Sequence, residues 1–281
     1  MLIGSDFSSY PKPGKPITAA ICRIHGRKLV VKEIRRLVNF PSFALLLGIE
    51  GSWIAGIDFP FGQPERLIDD LNWARKWADY VRHVARMGKR EFRRTIDTYR
   101  QGQPRGQKEH KREVDRRAKS ISPMKVYGTP VGIMFCEGAP FLLSSQASVL
   151  PFLPNRDSKR VIVEAYPKLV ATKVVGTNSY KTDSRQKVNA AQKAIRTEIV
   201  AAIIDKSPSS KLRRLYGFRV ECGEALQQSC IDDTSGDMLD AVLCALQAAW
   251  AWSQRDNNYG IPKYANTLEG WIADPALLED A

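Results

Sequence analysis

The sequence has few of the features that mark secreted, disulfide-bonded or zinc-binding proteins. Its five cysteines are an odd number and none stands in a C-x-x-C pair, which argues against a disulfide framework and against a zinc knuckle. The N-terminus lacks a basic segment followed by an apolar stretch, and no apolar run approaches the roughly 20 residues of a membrane helix. We therefore expect a cytoplasmic protein that is not secreted and does not span a membrane.

Positive charge, in contrast, is abundant and unevenly distributed. The chain carries 43 Lys or Arg against 30 Asp or Glu, a formal net charge of +13, which favours a polyanionic partner such as DNA or RNA. Residues 82–119 hold fourteen basic and five acidic residues, so +9 of the +13 lies there. We predict a single domain over residues 1–281 that contains a basic, mainly helical insertion over residues 63–155. A solvated helical face explains the same charges.

The first sixty residues predict an antiparallel meander followed by a parallel strand. LIGSDF, ITAAICRI and LVVKEIRRL are short apolar runs separated by turn-forming segments. FPSFALLLGIEG predicts a short helix that ends at glycine, and SWIAGIDF predicts an interior strand after it. Because a helix connects them, this strand is expected to pair in parallel with the first. Later in the chain, RVIVEAYP predicts a further buried strand, and RQKVNAAQKAIRTEIVAAIID and GDMLDAVLCALQAAWAW predict helices.

Acidic residues close three of the predicted strands and open the last helix. Asp6, Asp58 and Glu164 each end an apolar run, while Asp237 and Asp240 share one face of the helix. The strand-end acids and Asp237 have ordinary explanations: acids occur at strand-end turns, and an acid in the first turn suits the helix dipole. A capping role does not explain Asp240. Carboxylates gathered at one sheet edge repel each other unless a cation lies among them, and hard divalent cations prefer oxygen ligands. The set therefore predicts a metal site.

The order of these motifs resembles that of the ribonuclease-H-like superfamily, and within it the DUF429 family, whose members are described as predicted nucleases. The residues that carry the resemblance are GSDFSS, AGIDFPFG, SPMKVYGTPVGIMFCEGAPFLL, VIVEAYP, SYK, GDMLDAVLCALQAA and EGWI, spread over nearly the whole chain. The late D-x-x-D-A helix is similar to that of Holliday-junction-resolvase-like members. The resemblance implies an α/β fold with a ribonuclease-H-like mixed sheet, in which an antiparallel meander and parallel strands are flanked by helices.

The resemblance also implies a site and an activity. Asp6 takes the first-strand carboxylate position, Asp58 or Glu164 the second, and Asp240 with Asp237 the helix position, so that Mg²⁺ or Mn²⁺ would bind at these five residues. Two metals about 3.5–4 Å apart can activate water and stabilise the leaving oxygen of a phosphodiester, and carboxylates hold both ions. The expected activity is metal-dependent hydrolysis of DNA or RNA. The oligomeric state is not predicted by any pattern in the sequence.

The basic residues are the candidates for contact with the phosphate backbone. Within or beside the insertion, Trp73, Trp77 and Tyr80 stand at helical spacing as candidate stacking platforms for bases. Arg112 and Asp115, three residues apart, can alternatively pair on a helix. The expected nucleic-acid contacts are Arg90, Arg93, Arg94, Lys111, Arg112, Arg116, Arg117, Lys125 and Lys181.

Two other functions are compatible with parts of the pattern. Actin-like ATPases and sugar kinases also open with an Asp-bearing hairpin, but they need further glycine-rich phosphate and adenosine motifs, and VIVEAYP is not followed by a glycine cluster. A nucleic-acid-binding protein without catalysis would use the basic surface alone, and the five acids argue weakly against it.

Overall fold

The computed structural model describes residues 1–155, 157–181 and 190–278. In these ranges seven strands form one mixed sheet in the order β5-β6-β4-β1-β2-β3-β7. The strands are β1 (Leu2–Asp6), β2 (Ile17–His25), β3 (Lys28–Leu37), β4 (Trp53–Asp58), β5 (Ser148–Val149), β6 (Arg160–Glu164) and β7 (Arg219–Glu221). The α-helices are α1 (Phe40–Leu47), α2 (Glu65–Asp70), α3 (Trp77–Gln101), α4 (Glu113–Arg117), α5 (Val131–Ser144), α6 (Pro167–Val175), α7 (Ala190–Ile204), α8 (Lys211–Tyr216), α9 (Glu224–Asp232) and α10 (Asp237–Ser253).

The predicted start of the sheet is confirmed. Strand β2 pairs antiparallel with both β1 and β3, and β4 returns beside β1 in parallel after α1. The buried strand predicted in RVIVEAYP is β6, and it pairs in parallel with β4. The helices predicted before β4 and near the C-terminal end of the chain are α1 and α10. Helix α7 corresponds to the helix predicted in RQKVNAAQKAIRTEIVAAIID, of which residues 185–189 lie outside the described residues.

The sheet separates two hydrophobic cores because neighbouring residues of a strand face opposite sides. Leu2 and Ile54 face the core formed with α6, α7, α8 and α10. Ile3 and Ala55 face the core formed with α1, α3 and α5. The molecule therefore has three layers, with helices on both faces of the sheet.

The segment 63–155 is mainly helical, and it is built into the domain. Helices α3 and α5 complete the second core, and β5 joins the edge of the sheet beside β6. Strand β5 at the end of the segment was not predicted, because a two-residue strand is too short to show an alternating pattern. Helix α3 is also kinked, since Gly88 has a φ of 71° and a ψ of 167°.

In the described ranges, no helix combines the length and the apolar character needed to cross a membrane.

Candidate metal centre

Two neighbouring parallel strands bring the first two aspartates together. Asp6 is the last residue of β1 and Asp58 the last of β4, and the two residues are directly paired in the parallel ladder. Since parallel strands end at the same edge of a sheet, both carboxylates lie at that edge. Both residues are half-buried.

Helix α10 brings the third aspartate to the same point by packing closely on the sheet. A Cβ atom at Gly4 would collide with the backbone of Ala241 and Ala245, and one at Gly56 would collide with the carbonyl oxygen of Cys244. Glycine at both positions therefore lets the helix backbone contact β1 and β4. This contact places Asp240, in the first turn of α10, beside the strand ends.

The three aspartates form one group, which we call the aspartate cluster: Asp6, Asp58 and Asp240. One carboxylate oxygen from each lies within 4.8 Å of the other two. Asp240 is fully buried, and its Oδ1 accepts a hydrogen bond of 2.5 Å from the hydroxyl of Tyr180. Tyr180 was not expected from the sequence, although it stands in the SYK segment that also contains Lys181.

Lys181 is the cation that the chain itself supplies to this cluster. Its ammonium group forms an ion pair with Oδ2 of Asp240, and its side chain remains 37% exposed. Desolvation opposes the charge on Lys181, but the surrounding carboxylates, Asp240 first, raise its pKa well above the usual range. Lys181 is therefore positively charged at neutral pH and neutralises one of the carboxylates.

Burial and the charges of neighbouring acids raise the pKa values of two carboxyl groups in the cluster, those of Asp6 and Asp58. Burial raises the pKa of Asp6 well above its usual range; the Lys181 charge opposes this shift, and the charges of Asp237, Asp240 and Asp58 add to it. Burial likewise raises the pKa of Asp58 to about 7, with the charge of Asp240 as the next cause. A further cation would relieve this repulsion, so the electrostatics favour cation binding.

The donor set fits a hard divalent cation. All ligand atoms are carboxylate oxygens, which suit Mg²⁺ and Mn²⁺. Asp6, Asp58 and Asp240 are the residues that would hold it. Asp237 is half-buried on the same helix and its charge reaches Asp6, but it lies outside the group of three. Burial, followed by the charge of Asp233, raises the pKa of Asp237.

Glu164 occupies a different environment, and its expected role as a metal ligand needs correction. Its carboxylate binds the guanidinium group of Arg112 through two contacts, Oε1 to Nη2 at 2.6 Å and Oε2 to Nη1 at 2.8 Å. Oε2 also accepts a hydrogen bond of 2.9 Å from the backbone N–H of Phe61. Both oxygens are therefore occupied by protein donors. Of the two candidates for the second acid, Asp58 is the one that lies beside Asp6.

Arg112 was expected to contact nucleic acid, and this expectation is wrong because the side chain is only 1% exposed. Its guanidinium group also binds Asp115, with Nε–Oδ2 and Nη2–Oδ1 distances of 2.9 Å. The alternative pairing of Arg112 with Asp115 is thus confirmed. Together Arg112, Asp115 and Glu164 form a buried structural group, which we call the arginine network.

The three aromatic residues expected to stack on bases are also in the interior. Trp73, Trp77 and Tyr80 are at most 8% exposed. The indole N–H of Trp77 donates to the carbonyl oxygen of Phe61, and the hydroxyl of Tyr80 donates to that of Leu268. These residues anchor α3 in the second core, so they are not available to a ligand.

The other basic residues predicted to contact nucleic acid lie on the surface or beside the aspartate cluster. Lys125 is half-buried, with its ammonium group 5.2 Å from the centre of the Tyr127 ring, and Lys181 lies in the aspartate cluster. Several form ion pairs with neighbouring acids, such as Arg94 with Glu91 and Arg116 with Glu113. The exposed ones are Arg90, Arg93, Arg94, Lys111, Arg116 and Arg117.

Comparison with known proteins identifies a family but no characterised relative. No curated protein and no solved structure matches the sequence. A family model described as "Protein of unknown function (DUF429)" matches residues 17–266, which is most of the chain and includes Asp58 and Asp240. The protein therefore belongs to the DUF429 family.

Proposed function

We propose that this protein is a divalent-metal-dependent nuclease that hydrolyses phosphodiester bonds in DNA or RNA. The observation that carries the proposal is the convergence of Asp6, Asp58 and Asp240, from two strands and one helix, to within 4.8 Å of one another. Among the described residues, the three carboxyl groups share one tethered ammonium group, and a divalent cation would hold all three in their charged form.

The fold assignment supports the same proposal. We infer that the sheet is ribonuclease-H-like, because an antiparallel meander is followed by a crossover to a parallel acidic strand, and a late helix carries an acid back to the first strand. This is the order of elements that the resemblance to that superfamily implies. The helix also contacts β1 closely enough to require Gly4.

The three residues of the aspartate cluster and two neighbours, Asp237 and Lys181, each have a role in this proposal. Asp6, Asp58 and Asp240 would hold Mg²⁺ or Mn²⁺, which supplies a water of lowered pKa and positive charge near the phosphate oxygens. Asp237 would add to the negative potential. Lys181, once released from Asp240, would contact a phosphate oxygen, since its side chain is partly exposed and its charge is retained at neutral pH.

Cleavage assays test the proposal directly. Labelled single-stranded, duplex and branched DNA and RNA would be incubated with the protein in Mg²⁺, Mn²⁺ or EDTA. We expect cleavage only with metal, and a loss of at least about 100-fold in Asp6→Asn and Asp240→Asn, because even residues that only support metal ligands contribute about 10- to 100-fold. Asp256→Asn is the control, since the Asp256 side chain is 92% exposed.

The outcomes separate the rival functions. Cleavage that survives in both Asp6→Asn and Asp240→Asn would show that the cluster is not the catalytic site. Binding of nucleic acid without cleavage in any metal would favour a binding protein. Thermal stabilisation by nucleotides would favour a phosphotransferase of the actin-like or sugar-kinase type.

A further inference from the structure

We propose that Tyr10, Lys12 and Lys89 form a binding platform for unpaired nucleotides, on which a base stacks on the tyrosine ring and the lysines contact phosphates. The nature of the ligand rests on the proposed nuclease function. The platform lies in the loop that directly follows β1, so only three residues separate Tyr10 from Asp6 of the aspartate cluster.

Tyr10 is an exposed aromatic ring between two positive charges. The residue is 65% exposed, in contrast to Trp73, Trp77 and Tyr80. The ammonium groups of Lys12 and Lys89 lie 5.6 and 5.4 Å from the centre of its ring. Proteins that bind single strands combine a basic groove with aromatic rings on which bases stack. An exposed tyrosine ring with two lysine ammonium groups over it has the parts needed for one nucleotide. A base that stacks on the ring would take the place of an ammonium group, which would then contact the phosphate.

The loop around Tyr10 is held in place by hydrogen bonds. Lys12 and Lys15 exchange backbone hydrogen bonds of 3.1 and 2.9 Å, which close a tight turn. A guanidinium nitrogen of Arg36 donates to the carbonyl oxygen of Pro13 at 3.1 Å and ties the turn to β3. The loop therefore needs little ordering when it binds a ligand, which reduces the entropic cost of association.

The platform is continuous with the basic surface of α3. Lys89 follows the kink at Gly88, and its ammonium group also lies 3.5 Å from the carbonyl oxygen of Ser9 and 3.9 Å from the carboxylate of Glu137. Arg90 and Arg93, further along this helix, are exposed and form no ion pair within the described part of the chain. Positive charge thus extends from the loop beside Asp6 along the second half of α3, as a phosphate backbone requires.

The platform favours unpaired nucleotides over duplex. Bases in a duplex are already stacked on their neighbours, so a protruding ring can stack only on a base at an end, in an overhang or in a single strand. We therefore infer that the substrate enters the aspartate cluster as a single-stranded segment.

Binding experiments in EDTA test the platform without cleavage. The probes are fluorescent oligonucleotides of about 12 residues, as oligothymidylate and as oligouridylate, within the range of site sizes known for single-strand binding. Tyr10→Ala should weaken binding of at least one of them by about 5- to 100-fold, the effect of losing one stacked base, while Tyr10→Phe should retain it. Leu45→Ala, a truncation of a residue that is 75% exposed, is the control and should have no effect.

Two further measurements distinguish stacking from charge. Salt dependence is measured as the slope of log affinity against log salt concentration. Lys12→Gln and Lys89→Gln should each reduce this slope by about one, whereas Lys32→Gln on β3 should not. An abasic oligonucleotide should bind wild type and Tyr10→Ala equally. Unchanged binding in Tyr10→Ala, or equal affinity of wild type for abasic and base-bearing strands, would overturn the proposal.

The result is independent of the nuclease assay. Loss of single-strand binding in Tyr10→Ala with no cleavage in any metal would retain the platform and reject the proposed nuclease function. Cleavage that depends on Asp6 and Asp240, with normal binding in Tyr10→Ala, would retain the nuclease and reject the platform.

Discussion

Two acidic groups lie at the same edge of the sheet, and they differ in the cation that accompanies them. Asp58 ends β4 and Glu164 ends the adjacent strand β6, where Glu164 is paired with Ile57 in the parallel ladder. In the arginine network, the planar guanidinium group of Arg112 occupies both oxygens of Glu164 and both of Asp115. In the aspartate cluster, the only ion pair within the described residues is that of Lys181 with Asp240.

The difference teaches that a carboxylate at a strand end is not by itself a metal ligand. Arginine presents several donors in a rigid plane and can saturate two carboxylates, whereas lysine presents one compact charge on a flexible chain. The arginine network is closed and structural, because no carboxylate oxygen is left for a ligand. The aspartate cluster contains two carboxyl groups, those of Asp6 and Asp58, that form no ion pair with any described residue.

The largest expected effect comes from removing the cation of the arginine network. Arg112→Met would leave the buried carboxylates of Glu164 and Asp115 without their partner, and we expect a loss of about 3–5 kcal/mol in the free energy of unfolding. Chemical denaturation measures this value. Arg116→Met is the matched control, because Arg116 pairs with Glu113 while 58% exposed and should cost no more than about 1 kcal/mol. Equal losses in the two variants would contradict the structural role of the network.

A smaller effect is expected when the cation of the aspartate cluster is removed. Lys181→Met leaves the buried Oδ2 of Asp240 without its ion pair, and we expect a loss of about 1–3 kcal/mol in EDTA. Added Mn²⁺ should recover this stability, and it should raise the melting temperature more than in wild type, because the metal no longer competes with the ammonium group.

Lys193→Met provides the control for this experiment. Lys193 forms an exposed ion pair with Asp232, so its removal should change the free energy of unfolding by less than about 1 kcal/mol and should not alter the response to Mn²⁺. If Mn²⁺ stabilises Lys181→Met no more than wild type, Lys181 and a metal do not share the cluster.

The smallest expected effect is a change in how the free energy of unfolding depends on pH when Asp58 of the aspartate cluster is replaced. The pKa of Asp58 is raised to about 7 in the folded protein. Between about pH 4 and pH 7, the folded protein therefore holds a proton on Asp58 that the unfolded chain has lost. This contribution to stability is complete at low pH and disappears as the pH rises from about 4 to about 7. In EDTA, Asp58→Asn should therefore show a flatter decline of unfolding free energy over this range than wild type. Identical slopes would show that Asp58 ionises normally in the folded protein.

Much of the fold was predictable because local patterns encode it. Short apolar runs separated by turns indicated β1, β2, β3, β4 and β6, and the helix before β4 implied its parallel pairing with β1. The role of the segment 63–155 was only partly predictable. Its charge marked the exposed side of α3, but the apolar face that completes the second core depends on α5, which is distant in sequence.

The sequence indicated five acids as candidates for the site, but it did not indicate which of them lie together in the fold. Asp58 and Glu164 follow equivalent strands and have equivalent sequence contexts, so no local signal separates them. The distinction depends on Arg112, which is 52 residues away from Glu164 in the chain and, of these two acids, forms an ion pair with Glu164. Tyr10 was not predicted as a binding residue, because an isolated aromatic residue in a loop belongs to no periodic pattern. Its proposed role depends on Lys89, which approaches the ring from α3.

Local sequence encodes the meander, the parallel crossover, the late acidic helix and the concentration of positive charge, since each follows from residues that are neighbours along the chain. Tertiary structure alone decided which carboxylates converge, which arginine is buried and which aromatic ring remains exposed. The environment of a carboxylate depends on its burial and on the cations near it in space, and packing sets both. Lys181 and Arg112 reach their acids through packing that the order of residues does not encode.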